Sequence, residues 1–116
     1  MTGEQQAVIV RIKLSDDEFG DGPERMAAYE IEDRLIEGIS ADLGEVDGHE
    51  FGGGFATIFI YGSSADAISA LILPILSSAD VRAGSSVTKR YGPRGANEQI
   101  LEWPFHSNEP PPQRSG

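Results

Sequence analysis

Two segments of this chain alternate side chains at a period of two, and each is followed by a segment whose apolar residues recur at helical spacing. In "AVIVRIKL", Val8, Val10, Ile12 and Leu14 fall on one face, with Ile9, Arg11 and Lys13 on the other. In "FATIFIYG", Ala56, Ile58 and Ile60 share one face, and Phe55, Thr57, Phe59 and Tyr61 share the other. Both read as half-buried strands. Between them Ala28, Ile31, Leu35 and Ile39 recur three and four apart. That spacing predicts a helix from Pro23 to Leu43, capped by Asp21, with Pro23 first and Glu24 in its first turn. Its outer face carries Glu30, Glu32, Asp33 and Glu37. After the second strand, Ser63 or Ser64 caps a second helix. Asp66 suits its positive end, and Ile68, Leu71, Ile72, Ile75 and Leu76 form an apolar face. Pro74 inside that pattern predicts a kink or an early end.

The remaining segments complete the order. "GEVDGHEF" is a weaker strand that joins "FATIFIYG" through Gly52, Gly53 and Gly54. "SSVTKRY" is another strand, and after the turn "GPRG" the segment "EQILEWPF" returns as a fifth, carrying Trp103. The expected class is α+β: a ferredoxin-like βαββαβ sandwich, an antiparallel sheet with both helices on one face, widened by a fifth strand. A length of 116 residues suits one core, not two. Residues 1–106 are expected to form the domain and 107–116 a disordered, proline-rich tail.

Composition removes several classes of function. With no cysteine, disulfides, thiolate zinc sites and cysteine nucleophiles are excluded. No apolar run approaches the ~20 residues that span a bilayer, and the N-terminal segment has no signal-peptide pattern, so a cytoplasmic protein without membrane contact is expected. The formal charge is −10, and Asp16 to Glu50 holds 13 acids against two bases. A strongly negative side disfavours nucleic acid and favours a basic partner protein.

The histidine and glycines of "VDGHEFGGG" draw attention first. Gly52 to Gly54 lead into a strand, whereas dinucleotide and Walker loops lead into a helix, so these glycines read as a hairpin tip and no cofactor is implied. Straight alternation puts Asp47 and His49 on one face and Glu50 on the other. Asp47 and His49 begin a metal site only with a third ligand, for which His106 is the one distant candidate. A histidine beside a carboxylate also suits acid–base work, with Asp47, His49, Glu50 and the glycines as the alternative site of a small-ligand sensor or enzyme. The hairpin tip is expected to gather Asp16, Asp17, Glu18, Asp21, Glu24 and Glu50 along one acidic rim. At the opposite edge, Lys89, Arg90 and Arg94 beside the second helix start suggest a weak anion site. The face away from the helices is expected to hold Phe55, Phe59, Tyr61, Ile9, Arg11 and Lys13, joined by Asp47, His49 and Phe51. Apolar sheet faces are usually covered, either by a second copy in a homodimer or by the C-terminal segment with Trp103 and Phe105.

The stretches "VRIKLSDDEFG", "GEVDGHEFGGG", "IYGSSADA" and "KRYGP" resemble a group of small bacterial proteins of unknown function, over Val8 to Pro93. The resemblance implies no activity and brings no catalytic residues. At the level of fold the chain is also similar to regulatory ligand-binding modules, a poor guide to function. The expected function is non-enzymatic: a protein-binding or regulatory module, with small acidic immunity proteins as one concrete form.

Overall fold

The structure is a computed structural model and describes residues 5–79 and 81–105. The expected tail and His106 lie outside the described residues. The elements are β1 (Gln6–Lys13), α1 (Gly22–Gly38), β2 (Gly44–Gly52), β3 (Phe55–Gly62), α2 (Ala65–Ser78), β4 (Ser86–Arg90) and β5 (Glu98–Glu102). They form one five-stranded antiparallel sheet in the order β2-β3-β1-β4-β5, with two helices. The α+β class therefore stands.

Local chemistry accounts for where the helices start. Asp21 accepts from the Glu24 amide while the Glu24 carboxylate accepts from the Asp21 amide, closing a capping box around the first turn of α1. Ser64 caps α2 with a single bond, its hydroxyl accepting from the Ala67 amide. The first helix ends at Gly38 rather than Leu43, with Ile39 in an extended conformation. Ile39 is nonetheless buried, so the apolar rhythm continues past the helix because the loop packs on the same core. The second helix runs on through Pro74 to Ser78 instead of ending early. Its buried face takes Leu73, whereas Leu71 is exposed.

Val8, Val10, Ile12, Ala56, Ile58 and Ile60 meet Ala28, Ile31 and Leu35 of α1 and Ile68, Ile72 and Leu76 of α2 in one cluster. Both helices therefore cover the same face. Each valine, leucine or isoleucine among them contributes about 1.5–3 kcal/mol on full burial.

Three glycines, two in the hairpin turn and one before α2, hold the sheet's ends. Gly53 and Gly54 both have positive φ, 62° and 88°, as a two-residue type I′ hairpin turn requires. At Gly62 a Cβ would run into the Leu43 carbonyl and lie 2.8 Å from Ile68 Cδ1, so only glycine lets α2 close over this corner.

The strand β2 departs from straight alternation. Val46 pairs with Ile60, yet Gly48 pairs with Phe59, leaving Asp47 as the extra residue of a bulge. Beyond it His49 pairs with Ile58 and Phe51 with Ala56, both on the helix-covered side. The expected placement of His49 and Phe51 on the open face is therefore wrong. One inserted residue inverts every later side chain in the strand.

Candidate functional site

On the helix side His49 meets residues from α1. Its Nδ1 lies 2.9 Å from both carboxylate oxygens of Glu32. An ionised carboxylate only accepts, so this nitrogen carries the proton. The His49 side chain is 32% exposed and that of Glu32 13%, so the pair sits at the core's margin rather than in a cavity. Tyr29 and Phe51 pack edge-on against the imidazole, with centroids 5.1 and 5.5 Å away, and against each other at 5.7 Å. Glu32, expected on the outer face of its helix, is the partner that sequence reasoning missed. Asp47, the expected partner, instead lines a separate cleft of about 480 Å³ with Glu45 and Tyr61. Glu50 pairs with Thr57 and faces the open side. The three residues of the expected ligand site thus part company, and among the described residues no three acids or histidines gather to hold a metal.

The glycine tip is engaged by the chain itself. The Gly54 amide donates to the Glu18 carbonyl at 3.0 Å, and its carbonyl accepts from the Leu14 amide at 2.8 Å. The acidic loop is thereby fastened to the hairpin through Glu18. Within it Asp16 accepts from the Glu18 and Gly20 amides, which hold its carboxyl below the ordinary range. Glu24 is worked upward by burial. Hydrogen bonds from Ser15, the Asp21 amide and Arg82 outweigh that and lower it.

At the opposite edge the expected anion site is filled from within. Lys89 pairs with Val8 and so points to the helix side, where its Nζ reaches Asp66 at 2.9 Å. The Tyr91 hydroxyl donates to the same carboxylate at 2.7 Å. These bonds lower Asp66. Burial pulls the Lys89 ammonium down, but Asp66 and Tyr91 outweigh it and leave it raised. Burial and the Asp66 bond push the Tyr91 phenol up. Arg90 faces the other way and donates to the Gly92 carbonyl.

The open sheet face is the larger feature. The strand registers align its side chains in rows across the sheet. One row runs Glu45, Tyr61, Ala7, Arg90, Glu98; the next Phe59, Ile9, Thr88, Ile100; the next Glu50, Thr57, Arg11, Ser86, Glu102. Phe55 and Lys13 follow, with the Arg11 guanidinium 4.5 Å from the Phe55 ring centroid. The fifth strand extends the sheet at β4 instead of lying across it. The chain then turns to the helix layer, where Phe105 is buried and its carbonyl accepts from the Ser77 hydroxyl. Up to Phe105, then, the C-terminal segment does not cover this face. Ile100 and Trp103 stay exposed, and Trp103 lines a shallow cleft of about 370 Å³ with Arg11, Phe55 and Ile100. Sequence alternation found Phe55, Phe59 and Tyr61 but not Ile100, whose face depends on the pairing of β5.

Among the described residues no helix is long and apolar enough to cross a membrane. Comparison with family models, curated proteins and solved structures found no match.

Proposed function

We propose that this chain is a non-enzymatic binding module that works as a homodimer, two copies stacking their open sheet faces. The four strands β2-β3-β1-β4 and the two helices are read as a ferredoxin-like βαββαβ unit that β5 widens. The observation that carries the reading is the pattern on the uncovered face. Its middle row is apolar but for Thr88, and the rows on either side place a cation, Arg90 or Arg11, between glutamates at both ends. Such a face is complementary to itself when the strands of the two copies cross at a large angle. A cation-bearing central strand then runs across the acid-ended rows of its partner. Stacking with aligned strands sets the glutamates of β2 and β5 over glutamates of the partner and is disfavoured. A face of Phe55, Phe59, Ile9, Ile100 and Trp103 left to water is otherwise unusual for a lone subunit.

A small-ligand site at Asp47, His49 and Glu50 has less support, because those side chains point to different places. The acidic surface of α1 is left over by the dimer and suits a basic protein partner.

The test is the solution mass by light scattering. Wild type is expected at twice the 12.5 kDa chain mass. The Phe59→Glu variant, which sets a carboxylate into the apolar row, is expected at the chain mass with an unchanged circular dichroism spectrum. A monomeric wild type would sink the proposal.

A further inference from the structure

We propose that the outer edge of β2 is a strand-addition site for an extended cationic peptide. This surface lies apart from the open face and does not depend on the dimer.

Three observations meet there. First, β2 is the end strand of the sheet, nine residues long, and among the described residues nothing pairs with its outer side. Its free amides and carbonyls are a template for another strand. Second, α1 shows a second apolar stripe beside that edge, distinct from the buried one. Met26, Tyr29 and Ile36 recur at helical spacing and are 61%, 41% and 52% exposed. Tyr29 already packs on His49 and Phe51, which ties this flank of the helix to β2. Third, the surroundings are acidic: Glu30, Asp33 and Glu37 on α1, Glu45, Asp47 and Glu50 on β2, all exposed. The two cations of α1, Arg25 and Arg34, reach the Gly20 carbonyl and the Ser78 hydroxyl, and the acids around the edge outnumber them.

These features define the occupant. A strand laid beside β2 sends alternate side chains to the two faces. Those on the helix side meet Tyr29, Ile36 and Phe51 and are apolar. Those on the open side fall beside Glu45 and Glu50 and are cationic. A second copy is a poor occupant, since its own acidic β2 would set like charges against like. The acidic rim selects against self-pairing and for a basic chain.

The probe is a capped nine-residue peptide of alternating lysine and valine, titrated into isotope-labelled protein and followed by amide chemical shifts. Shifts are expected along Glu45–Gly52 and Met26–Glu37, with affinity falling several-fold as salt is raised. The same peptide N-methylated on its pairing edge is expected to bind at least tenfold more weakly, because the backbone ladder is lost. Ile36→Ser, at an exposed position that leaves folding intact, is expected to weaken binding several-fold. Shifts centred on Ile9 and Thr88, equal affinity for the N-methylated peptide, or no shifts at low salt would each overturn the proposal. The dimer is read separately by mass, so failure of one reading is distinguishable from failure of the other.

Discussion

At the scale of single residues, His49 illustrates how a conspicuous side chain acquires a structural role. Its ring fills the space between Tyr29 and Phe51 and donates to Glu32. Removing it deletes a hydrogen bond to a charged acceptor, about 1.5–3 kcal/mol, and leaves Glu32 without its partner at the core's margin. The His49→Ala variant is therefore expected to lower stability by about 1–2 kcal/mol in urea titration, allowing for the partly exposed site, with the solution mass unchanged. A loss of dimer with no loss of stability would show that the histidine serves the interface instead. The capping of α1 was legible because Asp21 and Glu24 are three residues apart and nothing else is needed. The partner of His49 was not, because Glu32 lies 17 residues away on another element.

Among the elements, the buried faces of β1 and β3 were readable, since an unbroken alternation has only one way to bury its apolar half, although β1 runs Gln6–Lys13 and leaves Leu14 outside the strand. The strand β2 was not. Counting by twos across Asp47 gives the wrong face for everything after it, and the one local signal of the irregularity was Gly48, whose φ of 154° suits few other residues. Deleting Asp47 removes the extra residue and lets Val46 and Gly48 follow one another opposite Ile60 and Phe59. Regular pairing is then expected throughout β2, with His49 still beside Tyr29 and stability within about 0.5 kcal/mol of wild type, the range of ordinary surface changes. Nuclear Overhauser contacts between the rings of His49 and Tyr29 check it. Their loss in a folded deletion variant would mean that the bulge is not what sets the faces. The helices were legible for a different reason and with a different error. Burial of Ile39 continued the apolar rhythm beyond Gly38, so the pattern marked the core's extent and not the helix's end.

For the whole molecule, the charge network sets how stability depends on pH. Asp16, Glu24 and Asp66 are all held below their ordinary values, so near pH 4 the unfolded chain binds more protons than the native one. Stability then rises with pH through that range. Their contribution is whole above the unfolded values of about 3.9 for Asp and 4.3 for Glu, and is lost as pH falls through the lower native ones. Lys89 and Tyr91 act with the opposite sense. Both are raised, so what they add is present at neutral pH and is lost as pH climbs from about 10 through their native values. Self-repulsion of the net charge of −10 opposes the acid limb, because mild acidification relieves it, but salt screens it at the surface. At about 0.15 M salt the midpoint of thermal unfolding is therefore expected to hold a plateau at neutral pH, fall below about pH 5 and fall again above about pH 10. Asp66 belongs to both limbs, since it holds Lys89 and Tyr91 as well as its own charge. The Asp66→Asn variant is expected to lower the plateau and make both falls shallower. A profile of the variant parallel to wild type at all pH values would show that the Asp66, Lys89 and Tyr91 cluster carries no pH-dependent stability.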